Sequence, residues 1–285
     1  MRLPDFMIIG APKAATTTLR GKLGNHPGII MSDPKEPMFF SNPEVNARGM
    51  DWYASLFESA RPDQICGEAS TTYMRFPYTE SPNTLNPWPA ISKLEKTPRF
   101  IYAMRNPVDR AYSHYVHHKR YGQTSTFEEA IKENPVYLNC SRYEAQMNEF
   151  RKHLPDATIY PVTFEDLTRN REATTARILE FLGVSAHIPP DPHVSKMNRE
   201  HETQLLSAKL NLLPGSKLAK KVLPLKARHA IKNRILNSVF GRGIKEQIKA
   251  EPMLPETRQR LIDMFEPDVQ MAEQLLNQPL PHWRE

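Results

Sequence analysis

A cation and a row of hydroxyls stand together near the front of the chain. Lys13 is followed, across Ala14 and Ala15, by Thr16, Thr17 and Thr18. An apolar run, residues 6–9, precedes them with Gly10 and Pro12 between, and an amphipathic run from Leu19 to Leu23 follows. A strand, a turn and a helix in that order put these residues at a helix N-terminus, where free backbone N–H groups and the helix dipole favour an anion. A second candidate is Lys35-Glu36, framed by Pro34 and Pro37. Proline fixes φ and restricts its predecessor, so one base and one acid ride on a stiff loop. A carboxylate held that way can take a proton from a reacting group, although an ion pair between sequence neighbours is the plain alternative. The third candidate is Arg105, directly after the apolar residues 100–104, with Ser113 eight residues on. An arginine at the carboxyl end of a parallel strand lies where α/β sheets bind ligands, and its fork suits a phosphate. Ser113 is about two helical turns further and reaches the same phosphate if the helix runs along the ligand. His114 and His118 have the i, i+4 spacing that can clip a metal, but no acidic motif accompanies them, and an ordinary helix face is expected.

The elements that must carry these residues alternate. Short apolar strands are expected at residues 6–9, 28–31, 100–104 and 158–164, the last bearing Pro161 and therefore at an edge or strand end, and residues 64–73 read as a strand running into a polar loop. Helical patterns follow the first strand, then cover residues 51–57, 108–120 and 141–153. Another follows Ser125-Thr126-Phe127-Glu128-Glu129, which has capping-box character, and a last one runs from Glu172 to Leu182, stopped by Gly183. Alternation of this kind predicts one parallel sheet covered on both faces. Residues 76–90 hold four prolines and read as a loop or lid. Beyond residue 203 the pattern is helical, ending in one long helix over residues 254–276.

The chain has 285 residues, 39% hydrophobic and 25% charged, as soluble globular proteins do. Its net charge of +6 is unevenly spread. Residues 201–250 carry eleven Lys/Arg against Glu202 and Glu246, a net of +9, which leaves −3 for the rest. Two cysteines, Cys66 and Cys140, argue against a disulfide scaffold and suit a reducing compartment. No apolar run approaches the ~18 residues needed to cross a bilayer, and Arg2, Pro4 and Asp5 do not suit a signal peptide. A cytoplasmic protein is expected.

Two stretches together resemble a known family. Pro12-Lys13-Ala14-Ala15-Thr16-Thr17 resembles the 5′-phosphosulfate loop of sulfotransferases. Arg105-Asn106-Pro107-Val108-Asp109-Arg110-Ala111-Tyr112-Ser113-His114-Tyr115 resembles their 3′-phosphate motif, R-[DN]-P-x-[DE]-R-x-x-S-x-Y, at every fixed position. The resemblance covers residues 5–185 and is closest to the heparan-sulfate type and its bacterial relatives. It implies a P-loop-like three-layer α/β fold: a core over residues 1–200, with a helical C-terminal extension over residues 201–285 packed on it in a single domain. It also implies 3′-phosphoadenosine 5′-phosphosulfate (PAPS) as co-substrate. Lys13, Ala14, Ala15, Thr16, Thr17 and Thr18 would hold the 5′-phosphosulfate, Arg105 and Ser113 the 3′-phosphate, and Lys13 would assist catalysis. Glu36, in Glu36-Pro37-Met38-Phe39-Phe40, matches the family's E-x-x-F-F base. The chain departs from the pattern at two places. Glu68-Ala69-Ser70-Thr71 lacks the lysine of Glu-Lys-[ST]-Pro, a charge that Lys35 can supply, and Ser195-Lys196-Met197-Asn198 lacks the glycine of the later Lys-Gly loop.

In-line sulfuryl transfer to a hydroxyl or amine follows, a reaction carried by positioning and charge stabilisation. The donor bears no triphosphate, so no metal is expected. Two other readings stand beside it. A P-loop kinase or hydrolase lacks its GxxxxGK[ST] here. A polyanion-binding module would use residues 201–250, yet only Phe240 is aromatic there and no nucleic-acid motif occurs. The acceptor stays open among saccharide, lipid and small metabolite. No nucleic-acid partner is expected, and residues 201–250 can meet a membrane surface or an anionic acceptor.

Overall fold

A computed structural model describes residues 1–75, 84–120, 123–185 and 250–285. Five strands form one parallel sheet: β1 (Phe6–Gly10), β2 (Ile29–Met31), β3 (Ile65–Ala69), β4 (Arg99–Met104) and β5 (Ile159–Thr163), in the order β2-β3-β1-β4-β5. The central strands read as unbroken apolar runs because both faces are covered. Phe6, Met7, Ile8 and Ile9 of β1 and residues 100–104 of β4 are fully buried. Phe6 sits in register with Gly67, where an added Cβ would stand 2.2 Å from the Phe6 ring, so only glycine lets β3 lie this close to β1. Pro161 lies on β5, which among the described residues is an edge strand paired with β4 alone.

Among the described residues the helices are α1 (Thr16–Gly24), α2 (Pro43–Asn46), α3 (Gly49–Ser55), α4 (Trp88–Ile91), α5 (Pro107–Arg120), α6 (Phe127–Glu133), α7 (Val136–Asn139), α8 (Tyr143–His153), α9 (Phe164–Arg169), α10 (Arg171–Leu182), α11 (Pro255–Met264) and α12 (Glu266–Leu276). The connection from β1 leads one way along the sheet to β2. Those from β3 and β4 lead the other way. Right-handed crossovers therefore place α1 on one face and the later helices on the opposite one. The packing agrees: α1 lies against α10, and α8 lies against α4 and α12. This is the three-layer, P-loop-like α/β architecture. The reversal of direction falls between β1 and β4, and in open α/β sheets ligands bind at such a point, at the carboxyl ends of the strands.

The single long helix expected over residues 254–276 is two helices. Pro267 cannot donate to the preceding turn, and Phe265 leaves helical geometry at φ −98°, ψ 9°. Asp268 then accepts the Glu144 N–H at 3.0 Å and Arg142 bonds the Met264 carbonyl at 3.1 Å, which ties α11 and α12 to the start of α8. Both cysteines are free and buried.

The chain divides into two compact units. One comprises residues 1–114, 127–189 and 253–285 and holds the whole sheet; the other comprises residues 115–126 and 190–252. In the second, Tyr115 donates to the Ser125 carbonyl at 2.9 Å and Lys119 to the Thr124 carbonyl at 2.9 Å. The lid expected at residues 76–90 falls partly outside the described residues, and α4 occupies its far end. The basic segment, the 185–200 loop with its Ser195-Lys196-Met197-Asn198 run, and the helices expected after residue 203 lie outside the described residues up to residue 249.

Candidate active site

The loop after β1 is bent in an unusual way. Lys13 and Ala15 both have positive φ, 71° and 63°, in the left-handed region that β-carbon-bearing residues seldom enter. Left-handed residues alternating with an ordinary one turn successive N–H groups to the same side, which makes an anion-binding concavity. The loop runs directly into α1. Ala15 is its N-cap, no side chain caps it, and its first turn holds no acid. Orphan N–H groups at a helix start are normally satisfied by a cap, water or ligand. Thr16 is buried in the first turn, Thr17 exposed and Thr18 half-buried.

Glu36 reaches this loop from the end of β2. Thr71 Oγ1 donates to its Oε2 at 3.3 Å, and Lys35 Nζ lies 3.5 Å from its Oε1. The same ammonium donates to Thr17 Oγ1 at 2.7 Å, so Lys35 links the carboxylate to the first turn of α1. The Glu36 and Lys35 side chains keep 32% and 43% of their exposure, which leaves the carboxylate open to a reactant and makes the pair worth at most about 1 kcal/mol in stability. Arg20 donates to the Ser32 carbonyl at 2.6 Å and faces Asp33 and Glu36; burial lowers its pKa, and the two acids oppose that.

Arg105 arrives from the end of β4. Its guanidinium stands 4.3 Å over the Phe164 ring and donates to the Lys13 carbonyl at 3.4 Å. Tyr143 holds its backbone by donating to the Arg105 carbonyl at 2.7 Å. Ser113 is half-buried on α5 and makes no hydrogen bond with Arg105. The rest of that motif is architectural. Asn106 Oδ1 accepts the Val108 and Asp109 N–H groups at 2.9 and 3.2 Å, capping α5, while its Nδ2 bonds the Trp283 carbonyl at 3.1 Å. Pro107 takes the first helical position, where its missing N–H costs nothing. Asp109 pairs with Arg258 at 2.9 Å. Arg110 is fully buried and donates to Ser141 Oγ and the Tyr137 carbonyl. His114 is buried against Tyr137, and the described residues contain no group of three or more His, Cys, Asp or Glu able to hold a metal.

The structure thus gathers Lys13, Thr17, Lys35 and Glu36 at one end of the sheet, with Arg105 beside them. Sequence reasoning missed Thr71, Ser70 and Arg20 as neighbours of Glu36. Ser70 Oγ accepts the Met38 N–H at 3.0 Å, two residues beyond Glu36. The signal for Ser70 and Thr71 was their position immediately after a parallel strand, at the end where ligands bind.

The family model described as "Sulfotransferase domain" matches residues 3–211. Human bifunctional heparan sulfate N-deacetylase/N-sulfotransferase 2 is 27% identical over 206 residues, covering 65% of this chain and 22% of that protein. Heparan sulfate glucosamine 3-O-sulfotransferase 5 of Mus musculus is 28% identical over 204 residues, covering 69% of this chain and 56% of that protein. The chain therefore spans between about a fifth and just over half the length of these relatives. Among solved structures, the sulfotransferase from Alicyclobacillus acidocaldarius superimposes over all of both chains with a TM-score of 0.69 at 23% identity, a likeness of fold. The chain has a parallel sheet with an uncapped helix start at its switch point and is matched by that family model over more than half its length; it belongs to the sulfotransferase domain family.

Proposed function

We propose that the protein transfers the sulfuryl group of PAPS to a hydroxyl or amine of an acceptor by in-line displacement. The observation that carries the reading is the convergence of Glu36, Lys35 and Thr17 on the uncapped start of α1. The donor fits the residues present: an anion-seeking loop at Lys13 to Thr18, with the Arg105 fork beside it.

The residues divide the work. Glu36 takes the acceptor's proton while the acceptor oxygen or nitrogen bonds to sulfur and the sulfur–oxygen bond to the 5′-phosphate breaks. Lys13 and the α1 amides neutralise the charge that grows on the leaving phosphate oxygen. Thr16, Thr17 and Thr18 hold the sulfonate oxygens. Lys35, linked to Thr17, supplies the charge that Ala69 cannot. Arg105, braced on Phe164, and Ser113 bind the 3′-phosphate. The two relatives named above carry heparan sulfate in their names, and a saccharide acceptor is the class we assign.

The test is to incubate the protein with PAPS and N-desulfated heparin, then follow adenosine 3′,5′-bisphosphate release and sulfated product by mass spectrometry. Glu36→Gln should lose turnover and keep its affinity for the bisphosphate. A variant within a few-fold of wild type would remove Glu36 as the base. Thermal stabilisation by ATP with magnesium but not by adenosine 3′,5′-bisphosphate would overturn the whole reading.

A further inference from the structure

Arg105 occupies the first position past the β4–β5 ladder, whose last pair is Met104 with Thr163. Its guanidinium rests over the Phe164 ring and against the Lys13 carbonyl. A planar fork grips a phosphate in one orientation, so the backbone beneath it must set its aim. One side chain holds that backbone. The Tyr143 hydroxyl accepts the Arg105 N–H at 3.4 Å and donates to the Arg105 carbonyl at 2.7 Å. A hydroxyl makes both bonds at once, and a phenyl ring makes neither. Tyr143 therefore stands in for the strand neighbour that Arg105 has left behind.

Tyr143 is itself held firmly. It is fully buried at the start of α8, and its ring meets that of Tyr102 edge-on at 5.9 Å between centres. One turn further along α8, Gln146 Oε1 accepts the Tyr102 hydroxyl at 3.0 Å, which keys the helix to β4. The residues on either side of Tyr143 are the two that bond the C-terminal helices: Arg142 donates to the Met264 carbonyl and the Glu144 N–H to Asp268. The residue after Arg105 is tied to the same region, because Asn106 donates to the Trp283 carbonyl. Trp283 is buried in a 3₁₀ turn, Pro281–Arg284, that follows α12. Arg284 fastens this turn with four hydrogen bonds, two to Glu266 and two to Glu273. Arg105 is thus framed from two sides by α11, α12 and the turn after them, through Tyr143 on one side and Asn106 on the other.

We propose that Tyr143 is a positioning residue for Arg105, and that the Trp283–Arg284 turn holds the adjoining Asn106 in the same frame, so that both set the grip on a 3′-phosphate. The inference rests on reading Arg105 as the 3′-phosphate ligand. Calorimetry with adenosine 3′,5′-bisphosphate and with adenosine 5′-monophosphate, which has no 3′-phosphate, separates positioning from a general loss of structure. Tyr143→Phe should bind the bisphosphate about tenfold more weakly, the order of one hydrogen bond, and the monophosphate almost as wild type does. Arg284→Ala should lose about threefold for the bisphosphate, again with little change for the monophosphate, although Arg284 reaches only Glu266 and Glu273. In an Arg105→Ala background Tyr143→Phe should cost the bisphosphate nothing more, since the two act through one group. A wild-type preference for the bisphosphate in either single variant, or losses that add in the double variant, would overturn the proposal; should Tyr143→Phe fail to fold, Arg284→Ala decides it. If Arg105→Ala keeps the wild-type preference, the reading of Arg105 falls. If it loses that preference while Tyr143→Phe keeps it, the positioning role alone falls.

Discussion

Replacing Glu68 by glutamine should stabilise the protein in alkali relative to acid, and the size of the effect can be worked out. In the unfolded chain this carboxyl titrates near 4.5, and in the fold near 7, because burial penalises the charged form. Below the lower value both states hold the proton. Between the two values the folded state keeps it while the unfolded state has lost it, so stability falls as pH rises through this window and is constant again above it. The window corresponds to a loss of about 3 kcal/mol. Glutamine does not titrate, so the variant's unfolding free energy minus that of wild type should grow by about 2–3 kcal/mol between pH 5 and pH 8. Asp268, raised to about 6 chiefly by burial, acts in the same sense but is present in both proteins and cancels in the difference. Urea unfolding followed by tryptophan fluorescence at pH 5, 6, 7 and 8 reads this slope directly, and a constant offset from the new amide does not affect it. A difference that stays level with pH would refute a buried, protonated Glu68, and a slope of opposite sign would mean that the fold favours its charged form.

Outcomes at four further positions are expected. Glu36→Gln should abolish sulfuryl transfer while calorimetry finds adenosine 3′,5′-bisphosphate bound nearly as tightly as by wild type. Arg105→Ala should weaken that ligand by ~2–4 kcal/mol, the loss typical of one partner in a buried charged pair. Arg105→Lys should fall between, since lysine keeps the charge but not the fork stacked on Phe164; an unchanged dissociation constant in the alanine variant would exclude Arg105 from the phosphate site. Lys35→Ala should lower kcat by about 100-fold with little change in bisphosphate affinity, as when one charge-stabilising donor is removed, and a kcat within twofold would show that another group fills the gap at Ala69. Gly67→Ala should cost at least about 1–3 kcal/mol by overpacking against Phe6, and a midpoint of unfolding equal to wild type would mean that β1 and β3 can separate there without penalty.

Much of this could be read along the chain because it is local. A buried parallel strand has to be an apolar run, so β1 and β4 stood out; Gly183, at φ 75°, ends α10 as glycine does wherever a helix must turn left-handed. Pro161 on an edge strand follows from its missing donor. The break between α11 and α12 was missed because the apolar spacing runs on through Pro267, and periodicity outweighed the one residue that interrupts the hydrogen bonds. The motif at Arg105 was visible as a string, but the string does not say which of its members face a ligand. Asn106 and Arg110 fit the pattern as well as Arg105 does, yet one caps a helix and the other is buried under Ser141 and Tyr137.

By itself the sequence determined the alternation of strands and helices, the strand–loop–helix junction at Lys13 and the presence of an acid, Glu36, stiffened between prolines. Each of these depends on neighbours within a turn or two, where spacing and φ preference act directly. Tertiary structure alone decided that Lys35 bridges Glu36 to Thr17, that Arg105 rests on Lys13 and Phe164, and that Glu68 is shut away behind Tyr53 and Tyr73. Those contacts join the carboxyl ends of strands far apart in the chain. Only the strand order, with its reversal between β1 and β4, brings them within reach of one another.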